Sequence, residues 1–153
     1  VKERAIKKTV YPRTEYVKAR QALLTEGLVR SFKSPEVDFS ERLVAIVFNG
    51  ELPDSKCNPG YDVIAGDKRI QVKSVAKAPG NKNGYIIRDK DRANNSKTGA
   101  THYAFVFFDE LIPTGIFLVP EDFVRQFAGT QIKRHHLEKT SYRVEIDLDV
   151  FKP

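Results

Sequence analysis

The chain has 153 residues, 41% hydrophobic and 30% charged, with a net charge of +6. That length fits one ordinary domain, and that balance excludes a disordered chain. The longest apolar run, around Tyr103 to Phe108, is far too short to span a bilayer, so no membrane association is expected. A single cysteine, Cys57, excludes a disulfide framework and a cysteine-rich zinc site, and points to a reducing, intracellular setting. No apolar segment follows the basic N-terminus, so no secretory signal is expected. With no Met anywhere, position 1 included, the chain is expected to be trimmed, processed or cut from something longer.

Residues 1–13 read as a basic arm that ends at Pro12. From Thr14 to Phe32 the residues favour helix, with Tyr16, Leu23, Leu24, Leu28 and Phe32 near helical spacing. Ser34-Pro35 breaks that pattern. A second helix is predicted after Ser40, which can cap the run Glu41 to Phe48, and Asn49-Gly50 ends it. A turn-rich stretch through Pro53, Asn58, Pro59 and Gly60 leads into two strands, Tyr61 to Ala65 and Lys68 to Val75. Gly66-Asp67 between them is a two-residue hairpin signal. Residues 76–101 form a long polar loop rich in Lys, Asn and Gly. Tyr103 to Phe108 lacks alternation and reads as a strand buried on both faces, and Gly115 to Val119 is another strand. Pro120-Glu121-Asp122 opens a short helix through Phe127, with proline and acids where a helix start prefers them. Tyr142, Val144, Ile146, Leu148 and Val150 alternate with polar residues, the pattern of a half-buried strand. The order predicts an α/β fold: one domain over 1–153 with a single mixed central sheet flanked by helices.

Charge is uneven along this chain. Residues 1–35 carry nine Lys/Arg against three acids, and residues 77–97 carry six against two. Residues 36–76 and 98–153 are each slightly acidic. Two basic blocks around an acidic stretch suggest a polyanion held beside something that needs carboxylates; a solvated surface with a loose basic tail is the plainer reading. The hairpin says more. With a two-residue loop, Ala65 pairs with Lys68, and Asp62 falls directly across from Gln71. Lys73, two residues further, points to the same face, while Ile70 and Val72 point to the other. A carboxylate, an amide and an ammonium then share one face. A three-residue turn would shift the register and spoil the pairing.

These residues, within Pro59-Gly60-Tyr61-Asp62 and Ile70-Gln71-Val72-Lys73-Ser74, resemble the signature of the PD-(D/E)XK nuclease superfamily, the restriction-endonuclease-like fold. Glu41 matches, by order and context, the glutamate that many members carry on the preceding helix, and the order of elements over roughly 38–130 matches as well. The resemblance implies a metal-dependent endonuclease hydrolysing phosphodiester bonds. Its metal would be Mg2+, with Mn2+ as a substitute, and its substrate DNA, with RNA fitting the same chemistry. Asp62 and Glu41 would serve the metal, the Val72 backbone carbonyl would join them, and Lys73 would orient the attacking water and offset charge on the transition state. Gln71 stands where the family has Glu or Asp, so that position offers only a neutral amide oxygen. The resemblance also implies a homodimer, so that both strands can be cut. Restriction, repair, junction resolution and transposition all fit.

Each residue has a plainer reading beside this one. Glu41 in a helix's first turn would offset the dipole without any chemistry. Asp62 could start a strand, and Lys73 could be a solvated strand residue. His102, His135 and His136 lack a ligand pattern, and Cys57 lacks a matched base. Lys77, Lys82, Arg88, Lys90, Arg92 and Lys97 suit a phosphate-tracking loop that leaves the strand of Lys73. Two other functions remain open: a catalytically inactive nucleic-acid-binding module of the same fold, and a protein-interaction domain whose basic blocks dock an acidic partner.

Overall fold

Positive backbone angles end both N-terminal helices. The computed structural model describes residues 2–31, 34–54, 60–76, 86–87, 99–127 and 131–152; for 2–12 and 86–87 the description covers the backbone alone. The chain divides into two compact units, Val1–Phe39 and Ser40–Pro153. In the first, α1 spans Lys2–Thr25, so the expected basic arm is helical backbone. A Lys-, Arg- and Ala-rich run supplies enough helix propensity to carry the chain through Pro12, despite the hydrogen bond that proline forgoes. The helix stops earlier than the Leu28 and Phe32 spacing suggested. Gly27, at φ 68°, turns the chain, and the Leu28 and Gly27 amides donate back to the carbonyls of Leu23 and Leu24.

Helix α2 spans Pro35–Val47, beginning five residues before the expected Ser40 cap. Proline at the first helical position, with Glu36 and Asp38 in the first turn, explains the earlier start. Asp38 is buried, and its Oδ2 accepts the Arg30 and Ser31 amides and the Ser31 hydroxyl at 2.7–2.8 Å. Ser40 lies buried inside the helix instead of capping it. The expected end does hold: Asn49, at φ 50°, and Gly50 close the helix with amides donated to Ile46 and Ala45.

The second unit is built on a mixed four-stranded sheet of β1 (Val63–Ala65), β2 (Lys68–Ala76), β4 (His102–Asp109) and β5 (Ile112–Pro120), hydrogen-bonded in that order. β1 and β2 are antiparallel, β2 and β4 parallel, and β4 and β5 antiparallel. β4 is central and has buried residues on both sides from Tyr103 to Phe108, as its unbroken apolar run requires. One face carries Val75, Tyr103, Phe105, Phe107, Phe117 and Val119, packed with Val124 of α3 (Glu121–Arg125) and Leu137 of α4 (Arg134–Glu138). Gly115 opposes Phe107, and its missing side chain admits Arg134, whose guanidinium lies 5.1 Å from the Phe107 ring centre.

Two further expectations differ from the structure. The 76–101 segment is not all loop: Ala76 belongs to β2, and β3 (Ile86–Ile87) pairs antiparallel with β6 (Ile132–Lys133) in a small second sheet. The C-terminal strand is reduced to one bridge, Phe117↔Arg143, although burial alternates from Tyr142 to Asp149 as the pattern indicated. The last backbone bond to β5 is from the Val144 amide to the Ile116 carbonyl, and further on the Asp147 side chain accepts the Asp149 amide and opens a 3-10 turn at Leu148–Phe151.

The β4–β5 loop places Glu110 at φ 48° and Leu111 at φ 67°. A two-residue turn of this kind favours Asn-Gly, and a leucine there is strained. Leu111→Gly is expected to stabilise the protein by about 1 kcal/mol, after allowance for glycine's unfolded-state entropy. Urea denaturation measures this; an unchanged or lower midpoint would contradict it.

Candidate functional site

The β1–β2 hairpin has the predicted two-residue loop. Ala65 pairs with Lys68 and Val63 with Ile70, and only the first loop residue, Gly66 at φ 60°, has a positive angle, as a type II′ turn requires. The Asp62 amide donates at 2.8 Å to the carbonyl of Ile70, the residue already paired with Val63, so the regular register ends at Val63 and Asp62 departs from it. The two predicted partners still meet through their side chains: Gln71 Nε2 donates to Asp62 Oδ2 at 2.6 Å. The Val72 amide donates to the same oxygen at 2.8 Å. An amide facing a carboxylate must present its NH2, which leaves Gln71 Oε1 as the atom it can offer a cation. In an extended strand a residue's N–H and C=O point to the same side, so the Val72 carbonyl is directed toward the edge of β2 that Asp62 occupies.

Burial follows the predicted alternation. Ile70 and Val72 are buried, and Gln71 and Lys73 are half-buried. Gln71 stands beside Tyr103 and Lys73 beside Phe105 on the neighbouring strand, both at most 2% exposed. The polar row thus borders a wall of buried aromatics, where local dielectric is low and charge interactions are strong.

Glu41 sits in the second turn of α2, since that helix begins at Pro35. The dipole reading therefore weakens, because that effect fades beyond the first turn. Glu41 is half-buried and shares a helix side with the buried Val44 and Ala45. Where α2 ends, Gly50 touches β1: a Cβ there would lie 2.6 Å from the Ile64 carbonyl oxygen. The helix carrying Glu41 is thereby tied to the strand that follows Asp62.

His102 pairs with Ile70, which places it on the face opposite Gln71. Burial holds its imidazole below the usual histidine range. His135 and His136 lie together on α4, where His136 Nδ1 accepts the Lys133 amide and the ring packs against Phe127. Lys77, Lys82, Arg88, Lys90, Arg92, Lys97 and Cys57 lie outside the described residues. Among the described residues, no three His, Cys, Asp or Glu side chains converge as a metal-holding group. The donors at the hairpin are a carboxylate, an amide oxygen and a backbone carbonyl. This all-oxygen set suits a hard cation such as Mg2+, which retains several waters.

The motif reading passes over Arg69. It stands two residues before Gln71, so alternation alone assigns it to the same face. There it lines a cavity of about 350 Å³ together with Thr101, Glu121, Asp122 and Arg125. Arg125 is bound to Glu121, which raises its pKa. No family model matches the chain, and no curated protein matches it.

Gln71→Leu removes one of the two donors shown on Asp62 Oδ2 at a half-buried position. It is expected to cost about 1.5–3 kcal/mol, the range for a hydrogen bond to a charged group. Denaturant unfolding checks this. A change within 0.5 kcal/mol, the ordinary spread for a surface substitution, would mean the pair does not hold the site together.

Proposed function

We propose that the chain is a metal-dependent nuclease of the restriction-endonuclease-like fold that hydrolyses phosphodiester bonds, with DNA as substrate. The observation that carries this reading is the convergence of Asp62, Gln71 and the Val72 backbone at the head of the hairpin, with Lys73 on the same face. Asp62, Gln71 Oε1 and the Val72 carbonyl would hold Mg2+ or Mn2+, with Glu41 as a further carboxylate. Once bound, the ion would polarise the phosphate and lower the pKa of the attacking water. Lys73 orients that water and offsets the negative charge that builds on phosphorus-bound oxygens. The aromatic wall beside Gln71 and Lys73 strengthens those interactions. The mixed α/β sheet is compatible with the proposed fold, and the basic segment 77–97 supplies charge for the phosphate backbone.

One observation favours a second reading. The Gln71 amide satisfies Asp62 Oδ2 without any cation, as a module that binds nucleic acid without cutting it would require. Nicking of supercoiled plasmid in Mg2+ or Mn2+ separates the two. The nuclease reading expects metal-dependent nicking that falls about 100-fold or more in Asp62→Ala and in Lys73→Ala. Salt-sensitive binding with no cutting of plasmid, branched DNA or RNA would establish the binding module instead.

A further inference from the structure

We propose that the cavity beside Arg69 is a phosphate subsite, taking a backbone phosphodiester of the strand whose neighbouring phosphate is presented to Asp62 and Lys73. The proposal rests on the nuclease reading. Arg69, Gln71 and Lys73 recur at every second residue of β2, so they share a side of that strand and form a row leading from the cavity to the proposed site.

The Arg69 side chain is already oriented. Its Nε donates to the Gly99 carbonyl. Its own amide donates to Thr101 Oγ1 at 3.0 Å, and its carbonyl accepts the Thr101 amide at 2.8 Å. These contacts fix the root and one nitrogen of the guanidinium while using no carboxylate. Among the described residues no ion pair involves Arg69. Its terminal nitrogens therefore keep their full charge and their planar, two-pronged geometry, which matches two phosphate oxygens.

The other charges of the cavity fall into a pattern. Arg125 donates to Glu121 through Nε at 3.1 Å and through its terminal nitrogen at 2.8 Å, so this pair neutralises itself within the wall. Asp122 is exposed and repels an anion. One oriented guanidinium opposed by one exposed carboxylate suits the single charge of a phosphodiester better than the double charge of a terminal phosphate.

The test is fluorescence anisotropy of a labelled short DNA duplex, titrated with the full chain in EDTA over a series of salt concentrations. Arg69→Ala is expected to weaken binding about tenfold. It should also reduce the slope of log K against log salt by about 0.9, the loss of one phosphate contact. Arg69→Lys should restore the slope but only part of the affinity. Asp122→Asn leaves every Arg69 bond in place and should tighten binding, which keeps the test decisive if Arg69→Ala fails to fold. Inorganic phosphate at millimolar concentration should not compete. Wild-type binding that Arg69→Ala and Asp122→Asn leave unchanged would overturn the subsite alone. Competition by inorganic phosphate would overturn it in favour of a free-phosphate site. A wild type that binds no nucleic acid would overturn the nuclease reading, and the subsite with it.

Discussion

The candidate site depends on one carboxylate oxygen. Asp62 Oδ2 receives the Gln71 amide and the Val72 N–H, and both reach it only because the hairpin loop has two residues. An extra loop residue would turn Gln71 and Lys73 to the other face and bring Ile70 and Val72 out of the core. The same register that fills the interior therefore aligns the polar row. Gly66 secures it locally through its positive φ, and Gly50 secures it from outside by letting the end of α2 approach the β1 backbone.

Glutamine at position 71 has a physical consequence. A glutamate in the same place would set two carboxylates against each other at hydrogen-bonding distance, and a cation or shared proton would be needed to hold them. The amide donates instead, so the arrangement is complete without an ion. The cost falls on charge: an ion bound there loses one formal negative partner. Under the proposed mechanism Glu41, in the second turn of α2, would be the carboxylate that makes up that difference.

Much of the second unit was legible because its signals are local and redundant. Gly66-Asp67 defines the turn, the alternation of β2 defines its faces, and the unbroken run of β4 marks a strand covered on both sides. The sequence misled where two signals compete. Ser40 looked like a cap, but Pro35 with Glu36 and Asp38 starts the helix sooner. Leu28 and Phe32 continued a helical spacing that Gly27 had already ended. Tyr142 to Val150 kept strand alternation, yet only Arg143 found a ladder partner, because pairing depends on β5 and not on pattern. Arg69 was passed over for another reason. Its significance lies in Thr101 and α3, distant in sequence, which alternation along one strand cannot reveal.

The central claim is that the head of the hairpin is a metal site organised by Asp62, and calorimetric titration of the full chain with Mn2+ addresses it most directly. Wild type should bind the ion saturably, and Asp62→Ala should lose that binding while remaining folded. Equal binding by wild type and Asp62→Ala, or no binding by wild type, would contradict the claim.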